Sequence, residues 1–249
     1  MQISNNEIKR IKSLQQKKFR DESGLFIVEG EKMVEELLQS GWDVESVYYR
    51  GDIGQETMKR ISALASPSPS LAVVRKPEDV YVQDPSHLES MISEGGLFLA
   101  LDTIRDPGNL GTILRIADWF GIKAVFAAAD TVDVFNPKVV QATMGAIFRV
   151  SLHYVDIQQV SKMALEKGGK VYGTFLDGEN MYGKDLATGA DSPVIIVIGN
   201  ESEGISPAME AIVSDRLYIP PYPSDNPGSE SLNAAIATAI TVAEFRRRI

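Results

Sequence analysis

The sequence contains no cysteine and only two histidines, His87 and His153. Without a thiol the chain cannot form a disulfide, a thiolate zinc site or a cysteine nucleophile. Two histidines are also too few for a multi-histidine metal centre. We therefore expect a protein whose chemistry uses no metal.

Long apolar runs are absent as well. No stretch approaches the roughly 18 to 20 consecutive apolar residues that a membrane-spanning helix needs. Residues 1–20 are polar and charged, whereas a signal peptide carries an apolar segment. The sequence accordingly predicts a soluble cytoplasmic protein that does not enter a membrane.

Basic residues are fewer than acidic ones, with 25 Lys and Arg against 34 Asp and Glu and a net charge of −9. This total argues against non-specific nucleic-acid binding, which depends on neutralising phosphates. The basic residues nevertheless cluster at both ends of the chain, in Arg246–Arg248 and in an N-terminal run without acids. The N-terminal run supplies the candidate RNA contacts Lys9, Arg10, Lys12, Lys17, Lys18 and Arg20. Solvated helix faces give the same pattern, so both interpretations stay open.

The 249 residues are enough for one large domain or two small ones. Strand-like and helix-like segments alternate along the chain, which predicts an α/β fold with a parallel sheet covered by helices. Strands near 25–28, 44–49 and 71–74 form a first βαβ-type unit, and a second unit begins near Leu97. The polar residues 80–95 separate them, so we predict domains at 1–90 and 95–249.

The common nucleotide-binding motifs are missing, because neither G-x-G-x-x-G nor G-x-x-x-x-G-K-[ST] occurs. In an α/β protein the ligand site still lies at the carboxyl ends of the strands. Three segments that follow predicted strands have an unusual composition, and they are residues 102–115, 199–206 and 219–233. These segments are the candidate site.

Each segment combines polar side chains with glycine or proline. In the first, Asn109 stands near a helix start and Arg115 six residues later, a pattern that an N-cap and a surface charge also explain. The second begins at Gly199 directly after an apolar strand, where glycine allows close backbone approach to a ligand. The third is rich in proline and opens a small-residue helix, whose free N–H groups suit an anion or a capping side chain.

At these segments the chain resembles the SpoU (TrmH-like) branch of the SPOUT methyltransferases, which transfer a methyl group from S-adenosylmethionine to a ribose 2′-hydroxyl of structured RNA. The resemblance rests on Asp106-Pro107-Gly108-Asn109-Leu110-Gly111-Thr112-Ile113-Leu114-Arg115, on Gly199-Asn200-Glu201-Ser202-Glu203-Gly204-Ile205-Ser206, and on Ile219-Pro220 with Ser231-Leu232-Asn233. Residues 137–140 and 144–146 are also similar to the family. Residues 17–20 and 25–30 resemble the ribosomal-protein-like RNA-binding domain that often precedes the catalytic one. The resemblance thus covers nearly the whole chain.

The resemblance implies a SPOUT-type parallel sheet whose C-terminal segment threads a deep trefoil knot, and a homodimer with active sites at its interface. The implied cofactor is S-adenosylmethionine, held mainly by backbone at Gly199, Asn200, Ile219 and Leu232. The implied catalytic residues are Asn109, Arg115, Glu201, Ser231 and Asn233.

Roles for these residues follow from chemistry once the family is assumed. Arginine is effectively never deprotonated in a protein, so we expect Arg115 to hold a phosphate and stabilise developing negative charge. We expect Asn109 and Glu201 to organise Arg115, while Ser231 and Asn233 orient the target nucleotide. The proton acceptor stays open.

The chain departs from the family pattern in its third segment. From Ile219 to Leu232 it spans 13 steps, since 232 − 219 = 13, which is longer than the family's usual spacing. Pro221 stands where methionine is common, and residues 222–228 form an insertion. We expect this insertion to affect the choice of RNA more than cofactor binding.

Three alternatives remain at this point: a tRNA ribose methyltransferase, a knotted enzyme that methylates a base nitrogen, and a non-catalytic RNA-binding relative. The complete polar set favours methyl transfer to a ribose. The additional N-terminal domain favours ribosomal RNA, because a second binding surface suits an extended structured target.

Overall fold

The computed structural model describes residues 3–80, 84–186, 192–223 and 231–247. The chain divides into two compact units, which we call unit 1 (Met1–Glu78 with Asp133–Arg149) and unit 2 (Asp79–Val132 with Val150–Ile249). None of the helices in the described ranges is both long enough and apolar enough to cross a membrane.

Unit 1 contains a three-stranded sheet with helices. Its elements are α1 (Asn5–Ser13), α2 (Lys17–Ser23), β1 (Leu25–Glu29), α3 (Glu31–Gln39), β2 (Val44–Tyr49), α4 (Arg50–Ile53), α5 (Gln55–Ile61), β3 (Ser70–Arg75) and, much later in the chain, α8 (Pro137–Thr143). The strand order is β1-β3-β2, and β3 pairs antiparallel with both neighbours. The predicted βαβ-type unit is present in a split form, because β1 and β2 run parallel to each other on either side of β3 and do not pair directly.

Residues 133–149 belong to unit 1 although they lie between two stretches of unit 2. Aromatic contacts hold this segment: the ring centroids of Phe26 and Phe135 are 4.7 Å apart, and those of Trp42 and Phe148 are 5.4 Å apart. Aromatic pairs at such distances add to the free energy gained by burying the rings. The core of unit 1 thus includes residues that are distant in sequence.

Unit 2 contains a six-stranded sheet with the order β6-β5-β4-β8-β7-β9. Its elements are α6 (Pro85–Ser93), β4 (Gly96–Leu101), α7 (Pro107–Trp119), β5 (Val125–Ala127), β6 (Leu152–Tyr154), α9 (Ile157–Glu166), β7 (Lys170–Asn180), β8 (Pro193–Ile198), α10 (Pro207–Glu210), β9 (Asp215–Tyr218) and α11 (Ala234–Arg246). All its strand pairs are parallel. The parallel sheet predicted for the second region is confirmed.

The central strands β4 and β8 are the most apolar runs of the sequence, and their burial explains their position. Residues 97–101 and 193–198 are buried along their whole length, as expected for parallel strands covered on both faces. Residues 147–154 have a strand-like composition, yet Ala146–Phe148 form a 3-10 helix and only Leu152–Tyr154 forms a strand.

Candidate functional site

The candidate site lies where the order of the strands reverses. The chain runs outward from β4 to β5 and β6, whereas β8 lies on the other side of β4. In doubly wound sheets, ligands bind at the carboxyl ends of the strands that flank such a reversal. Because Leu101 pairs with Ile198, the segments that start at residues 102 and 199 leave the sheet side by side.

The first segment leads into α7 through a complete N-cap. The Asp106 side chain accepts a hydrogen bond from the backbone N–H of Asn109 at 2.8 Å, and Pro107 occupies the first turn. The N-cap of α7 is therefore Asp106 and not Asn109, although the position of Asn109 near the helix start was compatible with capping. Asn109 is 8% exposed, and its side-chain amide is not used to cap the helix, so it can form hydrogen bonds with other segments.

Three predicted catalytic side chains form a continuous hydrogen-bonded row. Asn233 Nδ2 donates to Asn109 Oδ1 at 2.8 Å, and Asn109 Nδ2 donates to Glu201 Oε1 at 2.7 Å. These residues are 124 and 92 positions apart in the chain. We call Asn233, Asn109 and Glu201 the amide row.

Asn233 combines two functions that the sequence left as alternatives. It is the N-cap of α11, where its Oδ1 accepts hydrogen bonds from the N–H groups of Ala235 (3.0 Å) and Ile236 (3.2 Å). Its Nδ2 bonds Asn109 at the same time. Capping by Asn233 fixes the direction in which its amide points.

Asn200 holds the second segment from inside. Its Oδ1 accepts hydrogen bonds from the N–H groups of Ser202 (2.8 Å) and Glu203 (3.0 Å), while its Nδ2 donates to the Thr103 carbonyl at 2.8 Å. The Asn200 amide is thus engaged within the protein, which fits a contact to cofactor through backbone rather than side chain.

Gly199 is required by a close backbone approach. A Cβ at this position would lie 2.3 Å from the carbonyl carbon of Gly204 and 2.4 Å from the nitrogen of Ile205. Both are backbone atoms, so no side chain could move aside. The tight turn at residues 199–205 therefore depends on glycine at its first position.

Two residues that sequence reasoning did not select connect the first two segments. Asp102, which is 5% exposed, accepts a hydrogen bond from the Ser206 N–H at 2.7 Å. Thr103 adopts a positive φ of 64°, a rare conformation for a β-branched residue. The only sequence signal was that both follow directly after a buried strand.

Arg115 and Ser231 do not join the amide row. Both side chains are exposed, and neither makes a hydrogen bond or ion pair with the part of the chain that the structure describes. Arg115 lies on α7 six residues after Asn109, so the two side chains point about 120° apart around the helix axis at 3.6 residues per turn. In this structure Asn109 and Glu201 join the loops to each other but make no hydrogen bond or ion pair with Arg115.

The residues predicted to hold a cofactor offer apolar side chains beside backbone groups. Ile219 is half-buried directly after β9, and Leu232 is 49% exposed next to Asn233. Accessible aliphatic side chains with backbone groups of their own segments suit a flat group with apolar faces and hydrogen-bonding edges. Most of the insertion, residues 224–228, lies outside the described residues.

The N-terminal basic cluster separates into free and paired side chains. Lys9 and Lys12 are exposed and make no ion pair with the described residues. Arg10 is held by Glu7 and Glu45, each at 2.6 Å, and the hydrogen bonds that its guanidinium donates to Glu7 are the main cause that raises the pKa of Arg10. Lys17 pairs with Asp21 at 2.6 Å, and Lys18 lies 3.9 Å from Glu22.

Arg20 cannot contact RNA in this structure, so its prediction is wrong. Its side chain is 2% exposed, and its Nε and Nη2 donate to Asp133 Oδ2 at 3.2 and 2.7 Å. Its Nη1 donates to the carbonyls of Leu14 and Gln15 at 2.9 and 3.0 Å. The guanidinium is committed to the core of unit 1.

The C-terminal arginines also have partners inside the protein. Arg246 donates from Nε to the Phe120 carbonyl at 2.8 Å and from Nη2 to the Gly121 carbonyl at 2.6 Å, while burial lowers its pKa. Phe120 and Gly121 directly follow the last residue of α7, so Arg246 stabilises the C-terminal end of that helix. Arg247 pairs with Glu244 at 2.7 Å, and Arg248 lies outside the described residues.

No group of three or more histidine, aspartate or glutamate side chains within residues 3–80, 84–186, 192–223 and 231–247 is placed to hold a metal ion.

Two family comparisons match separate regions of the chain. Residues 96–243 match the SpoU rRNA Methylase family. Residues 5–77 match the MRM3-like substrate binding domain.

Individual proteins are similar over almost the whole chain. The 23S rRNA (guanosine(2553)-2′-O)-methyltransferase of Bacillus subtilis strain 168 is 28% identical over 257 residues, covering 97% of this chain and 96% of that protein. A solved structure from Porphyromonas gingivalis, assigned to the TrmH family of RNA methyltransferases, is 38% identical with a TM-score of 0.83 and 99% coverage of both chains. A solved rRNA methyltransferase from Sinorhizobium meliloti with bound AdoMet is 27% identical with a TM-score of 0.86, covering 100% of this chain and 98% of that one.

Proposed function

Because the chain belongs to the SpoU rRNA Methylase family, we propose that it transfers a methyl group from S-adenosylmethionine to a ribose 2′-hydroxyl of ribosomal RNA. The amide row carries this proposal. It sets amide groups and a carboxylate in a fixed order at the strand reversal. Each member keeps a donor or acceptor that no described residue uses, as a site that orients hydroxyl groups requires.

The cofactor residues of the proposal fit the chemistry of S-adenosylmethionine. Its adenine ring would contact Ile219 and Leu232, and its polar edges would meet backbone groups of the turn at Gly199 and Asn200. The bound AdoMet of the Sinorhizobium meliloti structure supports the identity of the cofactor. When bound, it supplies a methyl group on a positively charged sulfur.

Arg115 has a separate role in the proposal. Its exposed guanidinium has no partner among the described residues and is available to an RNA phosphate next to the reacting ribose. Ser231, exposed beside the amide row, would hold the target nucleotide. In Arg115→Lys the charge remains but the planar fork is lost, so methyl transfer should slow; an unchanged rate would contradict a two-pronged phosphate contact.

Ribosomal RNA is the proposed substrate because of unit 1. Its match to a substrate binding domain supports an RNA-binding role for this unit, and Lys9 and Lys12 offer positive charge that pairs with no described residue. The relative from Bacillus subtilis is named for 23S rRNA. The net charge of −9 then limits the number of phosphate contacts, so shape contributes to recognition.

A homodimer and a C-terminal knot complete the proposal. Trp119 is 84% exposed on α7 and Ile236 is 51% exposed on α11, so this helix pair offers apolar surface to a second copy. We infer the knot from membership of the family alone. Light scattering on a Trp119→Glu variant tests the dimer, since the charge should yield monomers. The expected cytoplasmic location remains a prediction.

The decisive experiment identifies the methylated atom. Purified protein is incubated with radiolabelled S-adenosylmethionine and with ribosomal RNA or total tRNA from a strain that lacks the gene. The RNA is then digested to nucleosides. We expect label in a 2′-O-methylated nucleoside from ribosomal RNA. Label in a base, label only in tRNA, or RNA binding without transfer would each replace the proposal with one of the three alternatives.

A further inference from the structure

The proposed function leaves open which group accepts the proton of the ribose hydroxyl. Assigning that group rests on the proposed function. A ribose hydroxyl is a weak nucleophile, and it loses its proton as the new O–C bond forms. As oxygen gains positive character the proton becomes acidic, so a carboxylate in hydrogen-bonding distance is a sufficient base. The base must lie beside the groups that hold the ribose.

Within the described residues, none of the other titratable groups of this region accepts a hydrogen bond from a side chain of the amide row. Arg115 does not deprotonate. Asp106 caps α7 by accepting the N–H of Asn109, and Glu203 lies 3.8 Å from Arg105. The histidines lie elsewhere. His153 is buried on the edge strand β6, and the ring centroids of His87 and His153 are 6.1 Å apart.

Glu201 has the required geometry. Its Oε1 accepts the Asn109 amide at 2.7 Å, which fixes the carboxylate, and its Oε2 accepts no hydrogen bond from the described residues. The residue is exposed, so the free oxygen is accessible to substrate. One oxygen anchored and the other free is the arrangement of a positioned general base.

The turn around Glu201 is fixed on both sides. Asn200 binds the N–H groups of the residues that follow Glu201 and the Thr103 carbonyl, while Asp102 binds Ser206 at the end of the segment. These bonds tie the turn to the end of β4. These hydrogen bonds therefore fix the position of the Glu201 carboxylate relative to the carboxyl end of β4.

We propose that Glu201, through Oε2, accepts the proton of the ribose 2′-hydroxyl during methyl transfer. The O2′ lone pair attacks the methyl carbon, and the electrons of the breaking C–S bond remain on sulfur. The 2′ proton moves to Glu201 Oε2. A positive sulfonium and a negative carboxylate become a neutral thioether and a neutral carboxylic acid, which later gives its proton to water.

Glu201→Gln tests this role, because glutamine keeps an oxygen for the Asn109 amide but cannot accept the proton. Single-turnover methylation of ribosomal RNA should slow on the order of 100-fold or more, the usual contribution of a general base. Calorimetric binding of S-adenosylmethionine and filter binding of RNA should stay within about twofold.

Glu203→Gln is the matched control, since it removes an exposed carboxylate two residues away on the same turn. It should methylate at nearly the wild-type rate. If Glu201→Gln keeps more than a tenth of the wild-type rate, the role of Glu201 is overturned while the proposed function stands. Loss of cofactor binding in Glu201→Gln would make Glu201 a binding residue instead. A wild-type protein that methylates no ribose overturns both.

Discussion

The ion pair of unit 1 and the amide row of unit 2 both join side chains that are far apart in the sequence, yet they differ in what they leave unused. Arg20 and Asp133 are 113 positions apart and buried, with 2% and 5% of their side chains exposed. The Asp133 oxygens are both engaged, by Arg20 and by the Phe135 N–H at 3.0 Å. In the amide row, Glu201 and Asn233 are exposed and retain unbonded atoms.

The difference separates stabilisation from recognition. A buried cluster whose donors and acceptors are all paired inside the protein has nothing to offer a ligand, and removing one partner leaves a costly unpaired charge. A cluster at the surface with free donors and acceptors contributes less to stability and can bind. Four measurements test whether this distinction holds.

The largest expected effect is on the ion pair. Arg20→Met should lower the free energy of unfolding by about 3–5 kcal/mol, because it leaves Asp133 buried without its cation. Denaturant titration measures the loss. Arg20→Met combined with Asp133→Leu should recover most of it, and Arg60→Met, which removes an exposed guanidinium, should change little. Wild-type stability in Arg20→Met would break the comparison.

Asn109→Ala should show the opposite balance. Methyl transfer should fall roughly 100-fold or more, since the alanine removes the central member of the row. The free energy of unfolding should fall by only about 1–3 kcal/mol for the two lost hydrogen bonds. Rates and urea titrations on the same preparation give both values. A stability loss as large as that of Arg20→Met would mean that the row is part of the framework.

The N-terminal lysines extend the comparison to RNA. In Lys9→Gln/Lys12→Gln, the slope of log affinity against log salt should become shallower by about 1.5, if each side chain releases its counterions on contact. Lys17→Gln/Lys18→Gln should change the slope less, because Asp21 and Glu22 already neutralise these side chains. Equal changes in both pairs would contradict the division into free and paired lysines.

The smallest effect concerns the strained residue beside the row. Thr103→Asn should raise the free energy of unfolding by about 0.5–1 kcal/mol, since asparagine tolerates a positive φ better than a β-branched residue. Thr103→Val keeps the branching and removes the hydroxyl that donates to Asp130 at 2.9 Å, so it should be less stable than the wild type. Thermal unfolding ranks the three proteins. A destabilised Thr103→Asn would show that the hydroxyl matters more than the strain.

The sequence predicted the elements that dominate the sheet of unit 2, because continuous apolar runs such as those of β4 and β8 can only be buried on both faces. It failed where pairing partners are remote. The antiparallel pairing of β3 in unit 1 and the burial of Arg20 both depend on contacts with segments that are distant in the sequence. Local hydrophobic periodicity does not indicate those contacts. Residues 133–149 are the clearest case, since their membership of unit 1 follows from contacts with Phe26 and Trp42.

The candidate site divides in the same way. Loop composition after buried strands, together with family resemblance, was sufficient to select Asn109, Glu201 and Asn233. It was not sufficient to show that they bond in a row, that Arg115 lies apart from it, or that Asp102 and Thr103 hold it. The sequence gives the type of residue in each loop. The hydrogen-bond partner of that residue depends on helix capping and on the register of the strands.

By itself, the sequence determined which segments are buried, which loops carry unusual chemistry and which family the chain belongs to, because these depend on residue type and order along the chain. Only the tertiary structure decided which polar groups are consumed inside the protein and which remain available. The physical reason is that an arginine or an asparagine has the same bonding capacity everywhere, and its use is set by burial and by neighbours from distant parts of the chain. Arg20 and Asn109 show the two outcomes.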